Sequence, residues 1–249
     1  MILRRITKHV KDQNWFAVGI DFLIVVLGVF VGLQVQQWAT EQETRQREGV
    51  YVERLHGETM RLIEQRKSNL EGRIANRDLL ITAHRKLFSN DNLSEFTPEE
   101  CRALSVIHVM TDLTTDLPTL TELISAGQLN TIRSTELRAS LIRLLQLTTR
   151  SKDSLDGINR NAVVFLQKHP DLITFNMDIK DEGNPSYDIE AECNVQEMRK
   201  SRAFLNDFVE GHFRYVAYVD GVLMSSEELL KLHTVLDGEL SITHDKVTP

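Results

Sequence analysis

Only five prolines and twelve glycines interrupt this chain of 249 residues, and only two residues are cysteine. So few breakers leave long uninterrupted stretches, which favour helices. No C-x-x-C occurs, which excludes a zinc ribbon and a thioredoxin-type redox motif. Net positive charge is absent too. The formal charge is −7, against the basic face that a nucleic-acid binder needs. No phosphate loop, nucleophile elbow or dinucleotide fingerprint is present. The eight histidines are His9, His56, His84, His108, His169, His212, His233 and His244. No two of them stand at the i,i+4 spacing of a helical metal site. The sequence therefore names no catalytic residue, cofactor or metal ligand, and the expectation is a protein that is not an enzyme.

What is there begins with "NWFAVGIDFLIVVLGVFVGLQVQQW", Asn14 to Trp38. Phe22 to Leu33 carries no polar group, a length that a buried core helix could have. Trp15 to Val35 is interrupted only by Asp21 and Gln34, which as a helix covers a hydrocarbon layer of roughly 30 Å. Trp15 and Trp38 bracket it, where indoles favour the membrane interface. A cleaved signal peptide would need an A-x-A site after the apolar run, and Gln34-Val35-Gln36-Gln37-Trp38 has none. The reading is an uncleaved transmembrane helix over 15–38.

Arg4, Arg5, Lys8 and Lys11 precede the span, whereas Arg45, Arg47 and Arg54 after it are interleaved with glutamates. This bias puts 1–14 in the cytoplasm and 39–249 outside. Residues 2–11 have an apolar face of Ile2, Leu3, Ile6 and Val10, which suits a segment lying on an anionic leaflet as well as a disordered tail. Within the span, Gly28 and Gly32 each lie within about 20° of Asp21 around a helix, with Ala17 nearby on the same side. Small residues let helices approach closely, and a carboxylate inside the membrane gains by facing a partner. Ala17, Asp21, Gly28 and Gly32 form the expected helix–helix interface, with a second copy in a parallel pair or with another membrane protein. The competing reading has Asp21 reach for the headgroups.

Beyond the span the periodicity is helical. Leu55, Leu62, Ile63, Leu70, Ile74, Ile81 and Phe88 recur along one helix reaching about Asn90. Thr97-Pro98-Glu99-Glu100 is a helix start with a capping box, opening a helix to about Met110. Another helix is expected from Pro118 to Ala126, stopped by Gly127. Ser134 opens a long helix whose core positions run from Leu137 to Phe165, ended by Pro170. Asn194 caps the last, with a break near Ser201 and core positions from Phe204 to Leu236 in alternating steps of four and three. Between them, 172–193 alternates as a β-hairpin would, or forms an ordered loop. The fold expected is an all-α antiparallel up-down-up-down bundle with this hairpin at one end.

"AVGIDFLIVVLGVFVGLQVQQW", a charged helix and then "PTLTELISAGQLNTIRSTELRASLI" together resemble an uncharacterised family, of unknown function, of bacterial single-span membrane proteins. The resemblance implies an inner-membrane location and supplies no catalytic residue, substrate or cofactor.

In that topology Cys101 and Cys193 fall at the same end, and an oxidising compartment permits a disulfide between them; two buried free thiols are the alternative. Cys101 and His108 share a helix face as a thiol–imidazole pair would, a spacing that structural residues also have. Thr148, Ser151, Gly211 and Ser225 occupy core positions, where small or polar residues either leave room for a ligand or admit close helix packing. Two functions follow. The first is an interaction or scaffold protein assembling through its span and long helices, with the bilayer and a second copy or another membrane protein as partners. The second is a periplasmic sensor or ligand-binding module; with a cytoplasmic part of only fourteen residues, it would signal through a partner.

Overall fold

Proline and short polar side chains set where the helices of this computed structural model begin. The structure describes residues 15–89, 95–111, 116–179 and 187–242. Helix α1, Trp15–Phe88, is one uninterrupted helix. Helix α2, Pro98–Ser105, starts with the expected capping box: Glu100 N–H donates to Thr97 Oγ1, and Thr97 N–H donates to Glu100 Oε2 at 2.8 Å. The same Glu100 oxygen accepts from Lys86 Nζ at 2.7 Å, so a buried carboxylate fastens α2 to α1. Helix α3, Pro118–Ser125, has no capping side chain of its own. Glu58 of α1 does that work, accepting from both the N–H and the hydroxyl of Thr119. Gly127 ends α3 with φ at +67°, a left-handed conformation that glycine takes without strain, and Gln128 N–H closes back on Leu123 O.

Helix α4, Thr135–Arg160, is capped by Ser134. It ends earlier than its core periodicity suggests. Asn161 closes it, and Phe165 belongs to a separate short helix, α5, Phe165–Lys168. Asn159 donates to Met110 O and the Arg214 guanidinium donates to Ile158 O, so neighbouring elements take up backbone and side-chain groups where α4 stops. Strands β1, Ile173–Ile179, and β2, Tyr187–Cys193, pair antiparallel with Ile173 opposite Cys193 and Phe175 opposite Ala191. The segment joining them, 180–186, lies outside the described residues, as do Arg4, Arg5, Lys8 and Lys11. Helices α6, Val195–Lys200, and α7, Arg202–Leu240, meet at Ser201, whose hydroxyl caps α7 by accepting from Phe204 N–H.

The chain divides into two compact units, Met1–Tyr51 and Val52–Pro249. In the second unit the cross-helix bonds set the directions. His56, Arg66 and Arg73 of α1 meet Asp237, Ser225 and Tyr218 of α7 in turn, so the two helices are antiparallel. Lys86, Arg73 and Glu58 meet Glu100, Thr111 and Thr119, so the segment carrying α2 and α3 also runs against α1. Arg143 meets Glu228 and Ile158 meets Arg214, so α4 opposes α7. An all-α up-down-up-down bundle results, with the hairpin packed on α2. Its core holds Leu80, Leu104, Ile107, Phe165, Phe204 and Phe208, all fully buried, each apolar side chain contributing about 1.5–3 kcal/mol.

In the first unit α1 is long and apolar enough to cross a membrane, by length and composition. Among the described residues none of its apolar window is buried; Phe22, Leu23, Ile24, Val25 and Leu27 are all exposed.

Candidate functional site: a histidine–aspartate cluster between two helices

Helical spacing on α7 sets His233 one turn before Asp237 and on the same face. Leu229, Leu232 and Leu236 are buried around them and fix the rotation of that face toward the core. On α1, Val52, Leu55 and Thr59 are buried and turn His56 toward α7. The two helices thereby bring three polar side chains from sequence-distant positions to one point. His56 Nε2 lies 2.9 Å from Asp237 Oδ1, and His233 Nδ1 lies 3.4 Å from Asp237 Oδ2. The two imidazoles stack with centroids 5.2 Å apart. One nitrogen from each histidine and one carboxylate oxygen all fall within 4.8 Å of one another. Little of any of the three side chains reaches solvent.

Two imidazoles and one carboxylate are a borderline-soft donor set suited to zinc and its neighbours rather than to calcium or magnesium. Bonds of about 2.0–2.1 Å to a tetrahedral ion put donors about 3.3 Å apart. The two histidine–carboxylate separations, 2.9 and 3.4 Å, are near that value but run to different oxygens of Asp237, and one donor from each residue lies within 4.8 Å of the others, so an ion would draw the three side chains together. Three protein donors leave a fourth position for water or an exogenous ligand. Binding would require a deprotonated ring nitrogen from each histidine. Without an ion, the same geometry works as a carboxylate bridging two histidines and ties α1 to α7.

Histidine-to-histidine spacing alone does not reveal this cluster. His233 and Asp237 do have the i,i+4 spacing, and that pairing was the available local signal. Nothing local joins His56 to them; only the antiparallel register of α1 and α7 does.

The residues that the sequence singled out fall in several places. Asp21, Gly28 and Gly32 lie on one side of α1. A β-carbon added at either glycine would meet nothing within 4 Å among the described residues. Trp38 is exposed. Trp15 and Ala17 lie in the helix, with side chains outside the described set. Cys101 of α2 and Cys193 at the end of β2 are joined by a disulfide, with Cα atoms 5.7 Å apart. Cys101 therefore offers no thiol to His108. Burial pulls the His108 imidazole below its ordinary value, with a backbone bond at Ser105 working partly against it. Glu122 pairs with Arg54 at the surface, but Glu228 is buried between Arg143 and Lys231. Thr148, Ser151 and Ser225 line a cleft, whereas Gly211 admits close packing, since a β-carbon there would stand 3.4 Å from the Phe165 ring.

A further charged knot sits at the start of α7. Asp207 accepts from Lys168 Nζ at 2.8 Å and lies 2.7 Å from buried His169 Nε2. Burial alone would raise the Asp207 carboxyl, but the bonds and charges of Lys168 and His169 outweigh it and hold it below its ordinary value.

No family model, curated protein or solved structure matches this chain, so the site is read on its own geometry.

Proposed function

We propose that this chain is a membrane-anchored, non-enzymatic sensor module that binds a divalent transition-metal ion of the zinc class at His56, His233 and Asp237. The observation that carries the reading is the convergence of three ligand atoms within 4.8 Å from two different helices. An ion there would fasten α7 to α1, and α1 is the helix that carries the apolar segment. Occupancy would thus act on the element through which a signal could leave. In this reading the apolar segment crosses a bacterial inner membrane, with the cationic N-terminus inside and the bundle in the periplasm, and a partner protein passes the signal on.

Assembly through the apolar segment is a second reading, favoured by the open space over Gly28 and Gly32. It is compatible with the first, since a span that pairs with a partner is a route for a signal. Metal content decides the sensor reading. Full-length protein in nanodiscs, dialysed against zinc and then metal-free buffer, should retain one ion per chain by mass spectrometry. Asp237→Asn, which keeps the side chain's shape and hydrogen bonding, should retain none while its helical circular dichroism stays unchanged. Equal retention by the two proteins, or none by either, contradicts the proposal.

A further inference from the structure

A second concavity lies on the bundle between α1, α4 and α7, with a volume of about 200 Å³. It is separate from the histidine–aspartate cluster. Its α1 residue, Arg66, is ten positions beyond His56, about 15 Å along a helix, and its α7 wall ends at Ser225, eight before His233.

The chemistry of the walls is one-sided. Arg66 is only 4% exposed, and its Nη1 donates to Ser225 Oγ at 3.1 Å and Ser226 Oγ at 3.4 Å. These bonds to α7 hold the guanidinium in place. Arg150 stands on the α4 side and is exposed. Ser151 and Ser154 bring hydroxyls from the same helix, while the Thr148 hydroxyl beside them donates to Leu145 O at 2.9 Å. Among the described residues that line the cleft there is no aspartate or glutamate. Two guanidiniums and the hydroxyls of Ser151 and Ser154 at one cleft favour an anion, and a partly desolvated arginine binds a carboxylate by charge-assisted hydrogen bonds. The remaining walls are apolar: Leu147, Leu155, Ile158 and Val222. An inorganic oxyanion gains nothing from them, whereas a carboxylate with a short hydrocarbon chain covers them.

We infer that this cleft binds a small organic carboxylate, its charged end at Arg66 and Arg150 and its hydrocarbon part against Leu155 and Val222. This does not depend on metal binding, and either could fail alone. Such a ligand would touch α1, α4 and α7 together, so its binding energy would bear on the packing of three of the bundle's helices.

Butyrate and succinate are the probes, with inorganic phosphate as the comparison, titrated calorimetrically into the full-length protein in nanodiscs. At least one carboxylate should bind saturably at millimolar concentration or below, and phosphate should not. Arg150→Ala removes an exposed charge and should weaken that binding about tenfold, the loss of one charge-assisted contact, without moving the melting temperature. Gly221→Leu tests the cavity itself. Gly221 lines the cleft and a β-carbon there meets nothing within 4 Å, so a leucine should fold normally and abolish binding. Absence of saturable carboxylate binding overturns the inference. So does binding that both variants leave unchanged, or a preference for phosphate over both carboxylates.

Discussion

Leu27 and Leu55 belong to the same helix, yet Leu27 is 52% exposed and Leu55 is fully buried. The contrast extends to their neighbours. From Phe22 to Val35 every large apolar side chain faces outward, whichever side of the helix it is on. From Val52 onward the same helix buries Val52, Leu55, Leu62, Leu80 and Leu87 and exposes most of its charges. An apolar stripe needs one protein neighbour; a helix apolar all round needs an apolar surrounding on every side. The first unit obtains none from the described residues of its own chain, and in the proposed reading lipid and a partner helix supply it. The second obtains it from α2, α3, α4 and α7.

The largest expected effect that separates the units comes from the disulfide. Cys101 and Cys193 are 92 residues apart in sequence and both lie in the second unit. Replacing both with serine should destabilise the bundle by up to about 4–5 kcal/mol in the chain-entropy account. Urea unfolding followed by tyrosine fluorescence would read this, since three of the four tyrosines, Tyr187, Tyr215 and Tyr218, lie in the second unit. Unchanged stability would mean that the bundle does not depend on that link.

A smaller effect sharpens the same comparison residue by residue. Leu55→Ala removes a fully buried side chain and should cost about 2–5 kcal/mol. Leu27→Ala should leave the unfolding midpoint of the bundle where it is. Equal losses from the two changes would show that both leucines serve one core, and the division into two environments would fall.

How far the sequence could foretell this contrast depends on the range of the interactions. The ladder on α7 was legible, and Phe204, Phe208, Tyr215, Tyr218, Val222, Ser225, Leu229, Leu232 and Leu236 are all buried. Apolar spacing is local, and one partner surface suffices to bury it. The capping box of Thr97 and Glu100 was legible for the same reason. The early end of α4 was not, because its core spacing continues to Phe165 while Asn159 and Ile158 make bonds to Met110 and Arg214. The cap that Glu58 gives α3 was not legible either, nor was the burial of Glu228. Each depends on a residue dozens of positions away. The His56–Asp237 contact is the extreme case, set by the register of two long helices.

The smallest expected effect is on acid stability, again confined to the bundle. Burial lowers the His212 imidazole from its ordinary 6.5, with His84 adding to the shift, and burial lowers His108 likewise. The unfolded chain takes up protons at the ordinary value while the folded chain resists them. Stability is therefore whole above about pH 6.5 and declines as pH falls below it. Asp207 works in a separate window: its lowered carboxyl keeps its contribution until the pH drops below 3.8. With a chelator present, urea unfolding at pH 7.5 and pH 5.5 (about one pH unit on either side of 6.5) should show a loss smaller than that of Leu55→Ala. His212→Phe should shrink it. An acid loss of the same size in that variant would remove His212 from the explanation.

Cobalt tests the central claim most directly, because its visible spectrum reports the geometry of its ligands. Full-length protein in nanodiscs, titrated with Co(II), should saturate at one equivalent with the intense absorption of a four-coordinate site, and His233→Ala should lose that band. A spectrum that stays weak and octahedral at every ratio, or an intense band that survives in His233→Ala, would contradict a metal site at His56, His233 and Asp237.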